Sequence, residues 1–117
     1  MKEHTLYLHP EPYASIASGK KTIEIRLFDE RRQTIAIGDV IIFSNRQSEE
    51  TLRVEVLDLV RFVDFKALYA AYDSHILGYE DDEKVHYNDM EKYYTKEQIA
   101  RYGVLAIKIR LLGSKNI

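Results

Sequence analysis

Gly38-Asp39-Val40-Ile41-Ile42-Phe43-Ser44-Asn45, followed across a polar loop by Leu52-Arg53-Val54-Glu55-Val56-Leu57, decides the class of fold. The first run is apolar at consecutive positions, as in a strand covered on both faces. In the second, Leu52, Val54 and Val56 alternate with Arg53 and Glu55, the period of a half-buried strand. The loop between them, Asn45 to Glu50, has hairpin length, so the two strands are expected to lie antiparallel. A doubly wound parallel sheet, which needs helical crossovers, does not fit. Near Val56-Leu57 the alternation slips by one residue, the mark of a bulge that bends a strand into a small barrel.

Upstream, Thr5 to His9 reads as a first strand stopped by Pro10 and Pro12. Pro12 is expected to open a helix carrying Tyr13, Ile16 and Ala17, which Gly19 ends. From Thr22 to Leu27 the period is again two, with Ile23, Ile25 and Leu27 opposite Thr22, Glu24 and Arg26. Downstream, Asp64 caps a helix with Phe65, Leu68 and Tyr72 on one face. Thr95 to Gln98 forms a capping box for a short helix that Gly103 ends. Leu105, Ile107, Ile109 and Leu111 then mark a last strand. The sum is an α+β fold, a small mixed β-barrel with short flanking helices, in which the terminal strands are expected to pair. Asp73 to Tyr87 is weakly patterned, and the acidic run Glu80 to Glu83 reads as a solvated loop.

The chain has 117 residues, 45% of them apolar, and no cysteine. Residues 1–117 are therefore expected to form one domain, with a core that needs no disulfide. The lack of cysteine excludes thiol nucleophiles and thiolate zinc sites. No run reaches the ~18 apolar residues of a membrane helix and the start lacks a signal-like apolar region, so the expected location is cytoplasmic. A net charge of −2 excludes a protein that coats nucleic acid by phosphate neutralisation alone, but leaves room for a local basic groove. His4, His9, His75 and His86 lack the spacing of a helical metal site, and no metal or cofactor is expected. Ser15 and Ser18 lack the glycines of a nucleophile elbow.

The segment richest in chemistry is Gly19-Lys20-Lys21-Thr22-Ile23-Glu24-Ile25-Arg26. Alternate strand residues point the same way roughly 6.5–7 Å apart, so Thr22, Glu24 and Arg26 can line one wall of a cleft. Arg26 would fork onto a phosphate or base edge, Glu24 would orient it or accept an amine, and Lys21 would supply a charge or a base. The simpler reading is an exposed strand face on which Glu24 and Arg26 form a solvent ion pair. Seven of the nine tyrosines lie after residue 68. Tyr93 and Tyr94 are candidates for base stacking, while Tyr7, Tyr69, Tyr72 and Tyr102 read as packing residues. Arg31 and Arg32 extend a phosphate-binding rim or are simply solvated.

The same segment resembles the G-x-K-x-x-E-x-R signature of the ASCH domain family, named for activating signal cointegrator homology. The strand from Gly38 to Phe43, the junction from Phe62 to Tyr72 and the closing stretch from Tyr93 to Ile107 resemble that family too. The resemblance implies a PUA-like barrel whose signature lines a cleft for RNA or a nucleotide. It points to Lys21, Glu24 and Arg26 as site residues, and with their neighbours Lys20 and Thr22 and the stacking candidates Tyr93 and Tyr94 they make up the expected ligand-binding set. The family includes bacterial amidohydrolases that act on N4-acetylcytidine with a lysine, a threonine and a distant glutamate. Lys21 matches the lysine, but Glu24 stands where the threonine is expected. As an enzyme the chain would use Lys21 and Glu24, with Thr22 the nearest hydroxyl, and no motif places the distant glutamate, Glu80 and Glu83 lying in a stretch without a pattern to align. An interaction module without a ligand is the remaining alternative.

Overall fold

The computed structural model describes residues 1–115. Its elements in chain order are β1 (Glu3–Leu8), α1 (Pro10–Ala17), β2 (Ile23–Leu27), β3 (Val40–Asn45), β4 (Thr51–Phe62), α2 (Phe65–Ala71), α3 (Lys96–Tyr102) and β5 (Val104–Lys115). Short 3-10 turns cover Arg32–Thr34 and Tyr87–Lys92. The five strands form a mixed sheet in the order β1-β3-β4-β5-β2, curled into a half-barrel with β1 and β2 as its edges.

The β3–β4 hairpin forms as its pattern requires, with Ile41 opposite Val54 and Phe43 opposite Leu52. The bulge is also where the alternation slips: Val56 faces Ile109 and Asp58 faces Lys108, leaving Leu57 unpaired. Beyond that residue the ladder resumes, so β4 continues to Phe62 and β5 is correspondingly long. The expected pairing of terminal strands is not found. β1 runs parallel to β3, and β5 lies between β4 and β2. Buried Asp39 supplies a physical reason, because it ties the start of β3 to β1: it accepts from the Lys2 N–H at 3.0 Å and contacts His4 Nε2 at 2.8 Å. These bonds hold its carboxyl well below the usual carboxylate range.

Pro10 rather than Pro12 opens α1, and the preceding extended residue His9 is the N-cap. Asp64 caps α2 by accepting from the Ala67 N–H, and Thr95 and Gln98 close the reciprocal capping box of α3. Two apolar clusters result. One gathers Leu6, Leu8, Ile16, Phe43 and Ile107 against α1, and the other gathers Ile23, Ile25, Phe65, Leu68 and Val104 beneath α2. At about 25 cal/mol per Å² of apolar burial, clusters of this kind are the main force holding the sheet in its curl. Among the described residues, no helix is long and apolar enough to cross a membrane.

Candidate ligand cleft

Between the two sheet edges lies a cleft of about 920 Å³. Its walls come from the end of β1, the first turns of α1, β2, and the segments around 77–83 and 89–94. The edge strands are joined across it by a side chain: Arg26 Nη2 on β2 donates to the Tyr7 carbonyl on β1 at 2.9 Å.

The floor is a cluster of three charges. Glu24 is 3% exposed and Lys21 8% exposed, so neither belongs to a solvent-facing strand. The exposed-face reading is thereby overturned, because the second face of β2 is covered by the cleft walls. Glu24 Oε2 accepts from Arg26 Nε at 2.9 Å and lies 2.8 Å from Arg26 Nη2. Its Oε1 accepts from the Ile25 N–H at 3.1 Å and lies 3.3 Å from Lys21 Nζ. Burial alone would raise the Glu24 carboxyl, but Arg26 and Lys21 beside it hold it below its ordinary value. It stays a carboxylate with both oxygens engaged, a poor arrangement for a general base. Burial pulls the Arg26 guanidinium down in turn, and Glu24 together with the Tyr94 phenol more than restores it.

Lys21 reaches this floor because regular pairing with β5 begins only at Ile23. The Lys20 and Lys21 N–H groups both donate to the Ser15 carbonyl, and those of Thr22 and Ile23 to the Ile76 carbonyl. The turn breaks the alternation and sends Lys21 to the same side as Glu24. Lys21 Nζ donates to the Leu77 carbonyl at 3.2 Å. Among the described residues no third acceptor meets this ammonium, which carries three donors. Gly78 makes room for the lysine stem: with φ at 105°, a Cβ there would sit 3.2 Å from Lys21 Cδ. Nothing in the sequence pattern pointed to Gly78.

The other expected site residues divide. Thr22 lines a separate, smaller depression of about 330 Å³ with Leu57 and Ile109, and so is not brought into the cleft. The Ser15 hydroxyl, buried and without a hydrogen-bond partner among the described residues, belongs to a residue that lines the cleft instead. Lys20 sits on the rim, paired with Glu80, and Glu83 lines the same rim, so the acidic run is part of the cleft wall. Arg26 does not present an open fork, since Glu24 and the Tyr7 carbonyl engage it. Tyr93 is exposed on the rim and stacks on His9, whereas Tyr94 packs flat against Phe65. Tyr7 and Tyr69, read as packing residues, both line the cleft. The Tyr69 hydroxyl meets that of Tyr79 at 2.9 Å, and Tyr79 donates to Asp89 Oδ2 at 2.8 Å. Burial, first, and these partners push the Tyr79 phenol well above its usual range, so it remains a donor. Arg32 lines the cleft but is paired with Asp29, and among the described residues no group of three or more metal-ligating side chains assembles.

Residues 6–113 match the family model of the ASCH domain, and the chain belongs to that family. No protein with a curated description matches it. Among solved structures, the crystal structure of hypothetical protein PH0355 superposes with a TM-score of 0.79 at 29% identity, covering 96% of this chain and 100% of that one. The solution structure of protein PF0455 from Pyrococcus furiosus gives 0.70, also at 29% identity, over 94% of this chain and 97% of the other. ASCH from Zymomonas mobilis gives 0.69 at 20% identity, over 98% and 73%, and supports the shared α+β, PUA-like half-barrel.

Proposed function

Given membership of the ASCH family, we propose that this protein binds RNA or a nucleotide-like ligand in the cleft between β1 and β2. The observation that carries the reading is the Lys21 ammonium. It is buried at the cleft floor, fixed by Glu24 and the Leu77 carbonyl, and keeps one N–H uncommitted among the described residues. Two cations against one carboxylate leave the floor with a net positive charge, suited to a phosphate, carbonyl or sugar oxygen. In this reading Lys21 touches the ligand, while Glu24 and Arg26 frame it. Buried charge clusters give little net stability compared with apolar packing, so their cost favours a role in ligand placement. A volume of about 920 Å³ falls among the larger small-molecule clefts.

The test is an equilibrium titration of the protein with single-stranded RNA and with mononucleotides, beside Lys21→Met. The variant retains the Glu24–Arg26 pair and is expected to bind about tenfold more weakly or worse, the equivalent of ~1.4 kcal/mol. Equal affinity in the two proteins would defeat the reading. Arg26→Ala is a poorer probe, because it also removes the bond between the sheet edges. Incubation with N4-acetylcytidine is the parallel arm: turnover lost in Lys21→Met would favour the amidohydrolase alternative, with Ser15 rather than Thr22 as the cleft-lining hydroxyl.

A further inference from the structure

The rim of the cleft carries aromatic rings and cations that the floor does not use. Tyr7, near the end of β1, and His9, the extended N-cap residue just beyond it, flank buried Leu8 and both line the cleft. The His9 ring stacks on Tyr93 with centroids 5.7 Å apart and planes 29° apart. Tyr7 is 52% exposed and Tyr93 50% exposed. A cation stands by each ring: the Arg46 guanidinium 5.5 Å from the Tyr7 centroid and Lys92 Nζ 5.5 Å from that of Tyr93. Lys20, Arg26 and Arg32 in the same cleft each have a carboxylate partner, whereas among the described residues Arg46 and Lys92 have none.

Single exposed tyrosines need no explanation. Here the two half-exposed rings, the histidine stacked on one of them and, among the described residues, two cations without a carboxylate partner all line the same cleft. From this set of rings and cations we infer that the cleft receives a single-stranded nucleic acid rather than a lone nucleotide, with neighbouring bases stacking on Tyr7, His9 and Tyr93 and their phosphates held by Arg46 and Lys92. The inference rests on the nucleotide-binding reading of the floor and extends it outward. Stacking on aromatic faces is tolerant of sequence because every base has a π face, and flanking cations supply the salt-dependent part of the affinity. A duplex keeps its bases stacked internally and offers none of them to the strip. The row gives purchase to two or three bases, so affinity is set by a short stretch of strand.

The experiment is a fluorescence titration with labelled oligouridylates of increasing length, with unlabelled uridine monophosphate and duplex RNA as competitors. Affinity is expected to rise over the first three or four nucleotides and then level. Tyr7→Ala and Tyr93→Ala are each expected to weaken oligonucleotide binding by about five- to a hundredfold. Both should leave the melting temperature unchanged and weaken uridine monophosphate binding much less than oligonucleotide binding, and Tyr93→Phe should bind like the parent. Replacing Arg46 and Lys92 together by glutamine should flatten the salt dependence of oligonucleotide binding. If the rim variants bind oligonucleotide as the parent does while Lys21→Met does not, the strip is idle and the inference falls, though the cleft reading stands. Duplex competing as well as single strand would also overturn it. If neither oligonucleotide nor monophosphate binds the parent protein, both readings fall.

Discussion

The floor and the rim of the cleft are built from similar residue types and behave in opposite ways. On the floor, Lys21 and Glu24 are buried, Arg26 is partly buried, and the three bind one another, leaving one ammonium proton uncommitted among the described residues. On the rim, Tyr7, His9, Tyr93, Arg46 and Lys92 are held by the backbone but make few polar commitments of their own. The contrast separates two tasks. Buried charges fix a geometry and are costly to disturb, whereas exposed rings and cations can be exchanged with little effect on folding and are free to meet a ligand.

The sharpest way to break this contrast is Glu24→Ala, which leaves buried Lys21 and partly buried Arg26 without their shared counter-charge. A loss of about 3–5 kcal/mol is expected in urea unfolding. A loss below ~1 kcal/mol would mean that the floor is hydrated and no more committed than the rim. Next comes Asp39→Asn, which loosens β1 at the end away from the cleft, with an expected cost of about 1.5–3 kcal/mol. Because the native carboxyl lies below its ordinary value of 3.8, its stabilisation is complete above that value and fades as the pH falls through it. The melting temperatures of parent and variant should therefore converge below about pH 4. Parallel curves down to pH 2 would contradict the assignment. Gly78→Ala should cost about 1–2 kcal/mol for the positive φ and displace the Lys21 stem. Ligand affinity should fall with it, and unchanged affinity would free Lys21 from its role. The smallest expected effect on stability is that of Tyr93→Ala, within about 0.5 kcal/mol, despite the binding loss predicted for it.

The hairpin, the bulge at Leu57, the caps at Asp64 and Thr95 and the strand through Glu24 are all legible in the sequence, because each rests on local periodicity or turn chemistry. The partner of β1 is not, since pairing with β3 is fixed by bonds to Asp39 from residues far away in the chain. Site residues follow the same rule. Lys21, Glu24 and Arg26 stand out through their spacing, yet their burial comes from loops that sequence order keeps distant. A turn held by the Ser15 and Ile76 carbonyls turns Thr22 away, a long-range effect with no local signal. Tyr7 looks like any strand tyrosine until the open edge of β1 proves to be the cleft wall. Gly78 is recognisable only once Lys21 is seen to pass over it.

The most direct measurement is a ¹H–¹⁵N titration of the full chain with a short single-stranded RNA. Saturable shifts confined to the end of β1, residues 20–26, 77–79 and 92–94 are the predicted result. Either no saturable shift or shifts confined to the smaller depression around Leu57 and Ile109 would contradict a ligand cleft between the sheet edges.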